Sequence, residues 1–244
     1  MSKLEAFHPS RNTDSAFYIL ERSQKTYLVK HYKKNAEERY SREKRMLKYW
    51  KESGYHVPLF YDDFELELSQ PYLVMQFLSG KTLAEIFSDE TVSYDYKLKL
   101  IEKLFISCSK RHTQALQNLD RELIHRDMNL DNIILYEDKL YYIDFEHESK
   151  VKVFKKQLAK EISTLCRRIL NLIGPEYTEE TMTLLVKSYT HQLKILHLVV
   201  KFSYGRISRI FHMLGARENK KHNLVTKYEI VMVLKKLLKE HKSS

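Results

Sequence analysis

Apolar residues in the first third of the chain fall into short runs separated by polar turns. Residues 16–20 and 26–31 are two β-rich runs around a polar turn, and they predict a hairpin. Residues 36–52 place apolar side chains at helical spacing among many charges, which predicts an exposed amphipathic helix. Residues 59–66 and 72–77 are predicted strands. The expected order is therefore β, β, α, β, β.

Helical periodicity dominates the rest of the chain. Thr82 precedes a short apolar stretch and Glu85 follows three positions later, a spacing that predicts a capping box at a helix start. The later predicted segments are a long helix at 96–119, strands at 133–136 and 140–143, and helical stretches at 158–172, 182–200 and 224–238. The pattern therefore predicts an α+β protein with a small antiparallel sheet followed by a mainly α-helical part.

Charge is distributed unevenly along the chain. The formal net charge is +10, and the whole excess lies after residue 146. Such a basic half can attract nucleic acid, anionic lipid or a phosphorylated substrate, or it can be a solvated helical surface. Cys108 and Cys166 fall in apolar helical patterns without metal spacing, which favours buried reduced thiols. With no apolar run long enough to cross a bilayer, a cytoplasmic location is expected.

One motif carries a specific chemistry. The segment His125-Arg126-Asp127 is followed by Asn132, which gives HRDxxxxN, and Asp144 comes at the end of the second short strand. Phosphoryl transfer needs a carboxylate aimed at the attacking hydroxyl and oxygen ligands that hold Mg²⁺ on the phosphates. Asp127, Asn132 and Asp144 supply this set. A helix-cap or turn aspartate would explain Asp127 alone, but not the two later residues at these separations.

With these motifs the sequence resembles the protein-kinase-like superfamily over residues 16–170. The resemblance implies a two-lobe fold within a single domain 1–244, with an N-lobe at 1–78 and a C-lobe at 79–244. It implies ATP and Mg²⁺ as cofactors. It also assigns Asp127 as the catalytic base, Asn132 as the second metal ligand and Asp144 as the chief metal ligand, with His125 structural.

Two upstream charges complete the resemblance. Residues 27–30 are similar to the VAIK strand of the family, so Lys30 is expected to reach the α- and β-phosphates. Glu43, on the predicted helix that follows, is its expected partner. Neighbouring lysines and glutamates at 33, 34, 37 and 38 leave open a solvated charge pair instead.

The segment after the predicted strand at 72–77 resembles the family hinge, where main-chain groups bind the adenine edge. The expected nucleotide-binding residues there are Met75, Gln76, Phe77 and Leu78, with Met75 as a gatekeeper. An ordinary strand that leads into a loop would have the same side-chain pattern, because recognition through the backbone leaves little trace in the sequence.

The chain departs from the family pattern at three places. No glycine occurs between Phe7 and Leu20, so a polar loop that contains Arg11 must replace the glycine-rich loop. Glu146 stands where the family has the glycine of DFG. A mobile DFG switch is therefore not expected in this chain. Little chain separates Glu146 from the predicted helix around Glu161, so there is no room for a long activation segment.

These departures favour the reduced kinases as relatives. The chain most resembles the lipopolysaccharide core (Kdo and heptose) kinases, beside the aminoglycoside and choline phosphotransferases and the RIO-like protein kinases. The expected acceptor is therefore a hydroxyl of a core sugar or a small molecule, with a peripheral contact to an anionic inner membrane face.

Arg126 keeps an atypical serine/threonine protein kinase as an alternative. A pseudokinase scaffold that binds an anionic partner through the basic C-lobe is a second alternative. No nucleic-acid-binding motif is present, so a specific nucleic-acid partner is not predicted.

Overall fold

The described residues form two units. The computed structural model describes residues 3–7, 14–148, 151–203 and 224–243. The first unit contains the described residues up to Lys81 together with Asn132–Glu148. The second contains Thr82–Asp131 and the described residues from 151 onward. The first unit is thus built from two separate stretches of chain, and the residues just before the second stretch belong to the other unit.

The first unit contains a five-stranded antiparallel sheet of order β1-β2-β3-β5-β4. Its strands are β1 (Lys3–Phe7), β2 (Ser15–Arg22), β3 (Lys25–Tyr32), β4 (Phe60–Tyr61) and β5 (Tyr72–Gln76). A two-residue turn joins β2 to β3, and both turn residues, Ser23 and Gln24, have positive φ angles of 52° and 62°. This left-handed turn matches the natural twist of the paired strands and fixes the predicted hairpin.

One face of this sheet carries the apolar core of the first unit. Leu20, Val29, Phe64 and Val74 form a buried cluster, against which six partly buried apolar side chains pack. Val29 of β3 lies directly opposite Val74 of β5 in the strand register. Because successive side chains of a strand point to opposite faces, the burial of Val29 on this side directs Lys30 to the other face.

The helix α1 (Ala36–Glu52) packs in the first unit through a single stripe. Its buried residues include Glu43, Met46, Leu47 and Trp50, which follow the i, i+3, i+4, i+7 spacing of one helix face. Three of these four are apolar, and the fourth is a carboxylate. The burial of Glu43 therefore needs a specific partner.

The remaining strands of the first unit form a hairpin. It pairs β7 (Ile133–Tyr136) with β8 (Lys139–Tyr142), again across two residues with positive φ, Glu137 and Asp138. Trp50 of α1 contacts Tyr142, at 5.2 Å between ring centroids, and Phe145, at 4.8 Å. These aromatic contacts fix the chain that leaves β8 against α1.

The second unit is helical. The chain enters it within β6 (Lys81–Thr82). Its helices are α2 (Leu83–Ser88), α3 (Tyr94–Asn118), α4 (Phe154–Ile173), α5 (Thr178–Ser188), α6 (Leu193–Ser203) and α7 (Lys227–Ser243), with short 3-10 turns at Pro175–Tyr177 and Thr190–Gln192. A further 3-10 turn, Leu130–Asn132, ends at the first residue of the second stretch of the first unit. Helix α4 contacts α5, α6 and α7, so it forms the centre of this unit.

The capping box that the sequence predicted at the start of α2 is confirmed. Thr82 accepts a bond from the Glu85 backbone N–H at 3.2 Å, and its own N–H donates to Glu85 Oε2 at 2.7 Å, which completes the capping box of α2. Helix α4 ends at Ile173 and is followed by Gly174, whose φ of 115° would be strained for other residues. Cys108 and Cys166 are buried and form no disulfide.

The α+β prediction is confirmed, with differences at particular elements. Strand β1 was not predicted, because it is an edge strand with exposed apolar side chains such as Leu4 and Phe7. Only two residues of the predicted strand at 59–66 pair with β5, since the Tyr72 hydroxyl bonds the backbones of Phe64 and Leu66 instead. The predicted helix at 182–200 is divided at Tyr189, which is fully buried.

Across the part of the chain that the structure describes, no helix has the length and apolar character needed to span a bilayer.

Replacing Thr82 by Ala tests the capping box. The change removes the acceptor for the Glu85 N–H, so we expect a loss of about 1 kcal/mol in the free energy of unfolding. Urea unfolding followed by circular dichroism measures this. Thr183→Ala is the matched control, because Thr183 is exposed within α5 and its hydroxyl donates to the carbonyl of Glu179, one turn earlier in the same helix. Equal losses in the two variants would contradict the capping role.

Candidate active site

Lys30 is the centre of a buried charge cluster in the first unit. It lies in β3 with a relative exposure of 3%. Its ammonium donates to Glu43 Oε2 at 2.7 Å and to Asp144 Oδ1 at 2.9 Å, and Glu146 Oε2 is 2.9 Å away. The structure therefore brings together Lys30 and Glu43, which the sequence paired, with Asp144 from the end of the distant hairpin.

Two more side chains extend this cluster. The Tyr32 hydroxyl, two positions along the same face of β3, donates to Glu43 Oε2 at 2.6 Å. Arg39, one helical turn before Glu43 on α1, pairs with Glu146 Oε1. Both residues were missed by the sequence analysis. The spacing of Arg39 and Glu43 at i and i+4 was a usable signal, since it places both on one helix face.

Burial and charge act in opposite directions on the pKa values of Lys30 and Glu43, and in the same direction on that of Tyr32. Burial alone would lower the pKa of the Lys30 ammonium, but the carboxylates of Asp144, Glu43 and Glu146 raise it above its ordinary value. Burial raises the pKa of Glu43, and the Lys30 charge offsets only part of that effect. Burial and the neighbouring Glu43 raise the pKa of Tyr32. Lys30 is therefore a permanently charged donor.

Asp144 is held in an unusual backbone conformation. Its φ angle is +66°, a left-handed conformation that aspartate tolerates better than most residues. On one side, the Ile143 N–H donates to the carbonyl of Asn132 at 3.0 Å. On the other side, Phe145 is buried against Trp50. These anchors turn the Asp144 carboxylate toward Lys30, while 26% of the side chain stays exposed.

The first unit contains oxygen donors of the kind that bind a hard divalent cation. Oxygens of Glu43, Asp144 and Glu146 lie within 4.8 Å of one another. However, the Lys30 ammonium already contacts all three of these carboxylates. The partly exposed Asp144 carboxylate and the side-chain oxygen of Asn132 are the ligand types that Mg²⁺ prefers. These two residues fit the predicted metal, and their role as ligands stays a prediction.

The predicted hinge residues lie at the end of β5. Met75 is buried opposite Leu28 of β3, and Gln76 donates its N–H to the Leu59 carbonyl at 2.7 Å. Phe77 is partly buried and Leu78 is buried. Their contact with adenine stays a prediction.

Gly80, just beyond this segment, packs closely against β7. A Cβ atom at Gly80 would lie 2.0 Å from the carbonyl oxygen of Leu135, so only glycine permits this approach.

Asp127 belongs to the second unit, where it is exposed and follows the buried residues Leu123, Ile124 and His125 and the half-buried Arg126. Its neighbour Arg126 pairs with Glu122 at 2.9 Å. The role of Asp127 as a base stays a prediction. The polar loop proposed to replace the glycine-rich loop, with Arg11, lies outside the described residues.

A buried ion pair supports the chain that leads to Asp127. Arg111 of α3 and Glu161 of α4 pair at zero and 1% side-chain exposure, and Arg111 also donates to the Leu123 carbonyl at 2.6 Å. Burial opposes the charge on Glu161, but Arg111 and His112 lower its pKa to about 2. The sequence analysis missed this pair, although charged residues within apolar helical stretches were a signal for it.

Comparison with known proteins finds a matching family and several similar chains. The RIO domain family matches residues 8 to 173. The KEOPS complex subunit Bud32 of Pyrococcus abyssi is 30% identical over 128 residues, which are 52% of this chain and 53% of that protein. Human serine/threonine-protein kinase TNNI3K is 30% identical over 112 residues, which are 41% of this chain and 13% of that protein. The chain therefore spans about half of the first relative and a small part of the second.

A solved structure of WaaP in complex with acyl carrier protein has the same fold, with a TM-score of 0.54. The match covers 82% of this chain and 86% of that chain at 15% identity, which is evidence for the fold alone.

The fold defines a member of the protein-kinase-like superfamily. Because the RIO domain match extends over more than half of the sequence, the chain belongs to the RIO domain family.

The buried Glu161 predicts a loss of stability in acid. Its pKa is about 2 when folded, against an ordinary value of 4.5, so its contribution is present above pH 4.5 and is lost as the pH falls toward 2. This shift corresponds to about 3 kcal/mol at neutral pH. Urea unfolding of the wild type and Glu161→Gln should show a stability difference that shrinks below pH 4.5.

Glu102→Gln is the control, because Glu102 pairs with Lys187 at the surface. A difference between wild type and Glu161→Gln that stays constant from pH 7 to pH 3 would contradict the assigned pKa.

Proposed function

We propose that the chain is an ATP- and Mg²⁺-dependent phosphotransferase that moves the γ-phosphate of ATP to an acceptor hydroxyl. The observation that carries this proposal is the buried Lys30 ammonium, held 2.7 Å from Glu43 and 2.9 Å from Asp144. Kinases require this lysine–glutamate pair together with an aspartate that holds the metal. Membership of the RIO domain family supports the same chemistry.

Each residue of the proposed site would have a separate role in phosphate transfer. Lys30 would bind the α- and β-phosphates, and Glu43 would keep its ammonium in position. Asn132 and Asp144 would hold Mg²⁺, which neutralises phosphate charge when bound. Asp127 would accept the proton of the attacking hydroxyl. Backbone groups at Met75–Leu78 would bind the adenine edge.

The acceptor that we propose first is a sugar hydroxyl of a lipopolysaccharide-type core or a hydroxyl of a small molecule. Helix α4 begins at Phe154, soon after Glu146, so the chain has little length for a peptide-docking activation segment. The second unit also has a groove of about 270 Å³, lined by parts of α2 and α4 and by residues 129–131, just after Asp127. A groove of this size suits a small polar acceptor better than an extended peptide.

A basic surface supports an acceptor on an anionic membrane. In the second unit, burial and the charges of Arg167 and Lys160 lower the pKa of Lys227, so three cations lie close together. Such a cluster attracts phosphate-bearing lipid headgroups. We therefore propose a cytoplasmic protein that contacts the inner membrane face.

A protein serine or threonine hydroxyl is the second candidate acceptor. Human TNNI3K is named as a serine/threonine-protein kinase, Bud32 as a subunit of the KEOPS complex, and WaaP is seen in complex with acyl carrier protein. A protein substrate or partner is therefore a proposal for this chain too.

A non-catalytic scaffold is the third candidate. The assembled Lys30 cluster opposes it, because a scaffold has no need for a buried lysine surrounded by carboxylates.

Asp127→Ala tests the enzyme and its acceptor together. Without the base we expect phosphate transfer to fall at least about 100-fold while ATP affinity stays within about twofold. Transfer from labelled ATP is measured with core glycolipid, an aminoglycoside and a generic basic protein. Asp63→Ala, an exposed loop change, is the control. Normal turnover by Asp127→Ala would contradict the base assignment, and absent transfer with absent ATP binding would favour the scaffold.

Asp144→Ala tests the metal assignment. Loss of this carboxylate should abolish the part of ATP affinity that depends on Mg²⁺, about tenfold or more. Calorimetry with ATP is run with Mg²⁺ and with a chelator, for the wild type and the variant. An unchanged Mg²⁺ dependence in Asp144→Ala would contradict its role as a ligand.

A further inference from the structure

Glu146 occupies the position where the sequence departs from the family glycine, and it is not exposed. Its relative exposure is 8%, and its carboxylate reaches two cations at once. Oε2 lies 2.9 Å from the Lys30 ammonium, and Oε1 pairs with Arg39. Neither the proposed chemistry nor the metal assignment uses this residue.

The charges around Lys30 do not balance when the imidazole of His147, whose Nε2 lies 3.7 Å from Glu146 Oε1, is neutral. Lys30 and Arg39 then contribute two positive charges, whereas Glu43, Asp144 and Glu146 contribute three negative ones. The lysine–glutamate–aspartate set of kinases accounts for two of the three carboxylates. Glu146 is therefore the additional anion, and a phosphate that approaches Lys30 meets its charge at close range.

The bonding of the three carboxylates also differs. Glu43 and Asp144 accept aligned hydrogen bonds from the Lys30 ammonium. Glu146 Oε2 lies within ionic contact of it, but this buried oxygen accepts no hydrogen bond among the described residues. An ammonium has three donors, so the position nearest Glu146 is the one that another anion can take with the smallest loss.

We propose that Glu146 is an affinity-determining residue that competes with nucleotide phosphates for the Lys30 ammonium. A nucleotide phosphate that binds Lys30 replaces the ionic contact with Glu146, while Arg39 continues to hold the Glu146 carboxylate. The residue thus lowers affinity for nucleotide phosphates without affecting recognition of the nucleoside. This inference rests on the proposed function, because it requires Lys30 to bind phosphate.

Calorimetry of ATP, ADP and adenosine binding tests the proposal, with a chelator present so that metal binding does not enter. Glu146→Gln keeps the side-chain shape and removes its charge. We expect about tenfold tighter binding of ATP and ADP, from the loss of one close negative charge, and no change for adenosine beyond twofold. Glu146→Ala should change affinity in the same direction, and circular dichroism checks that both variants are folded.

Glu148→Gln is the matched control. Glu148 lies two positions along the same loop and pairs with Arg42 of α1, but its side chain is 65% exposed. We expect its affinity for ATP to equal that of the wild type. An equal gain from Glu148→Gln would show a general effect of charge and overturn the proposal.

The remaining outcomes separate this inference from the proposed function. If the wild type binds ATP and the two Glu146 variants bind it no tighter, the competition by Glu146 is wrong and the phosphotransferase assignment stands. A gain that is as large for adenosine as for ATP would also overturn the competition. If neither the wild type nor Glu146→Gln binds ATP even with Mg²⁺, both proposals fail.

Discussion

The buried ammonium of Lys30 constrains the first unit more than any other group. A lysine at 3% exposure keeps its charge only when carboxylates surround it, since burial alone favours the neutral form. Glu43 must therefore lie on the packed face of α1, and the chain after β8 must bring Asp144 back to β3. The contacts of Trp50 with Tyr142 and Phe145 hold these two elements together. The packing of the first unit therefore holds the residues of the Lys30 charge cluster in place.

A related arrangement occurs independently in the second unit. Arg111 and Glu161 are almost completely buried, and each depends on the other for its charge. Their pair connects α3 with α4, and Arg111 also bonds the Leu123 carbonyl, four residues before Asp127. In both units, a buried ion pair therefore fixes the backbone near a residue assigned to the chemistry. Removing one partner of such a pair would leave an uncompensated charge inside the protein.

Much of the candidate site could be predicted from local sequence. The sequence predicted Asp127, Asn132 and Asp144 because kinase chemistry constrains their types and separations, and it predicted Lys30 because residues 27–30 resemble the VAIK strand of the family. Glu146 was seen only as a missing glycine, and Arg39 as one of several helix charges. Their roles depend on which side chains face one another across β3, α1 and the chain after β8, and the sequence does not contain those distances.

The sequence by itself determined the α+β class, the β2–β3 hairpin, the bounds of α1 and the capping box of α2, because turn residues, periodicity and caps act within a few residues. Tertiary structure alone decided that a second stretch, Asn132–Glu148, would join the first unit, and that Tyr189 would divide a predicted helix. It also decided that three carboxylates would surround one lysine. These features arise from long-range packing and from the need to neutralise buried charge, which act between residues far apart in the chain.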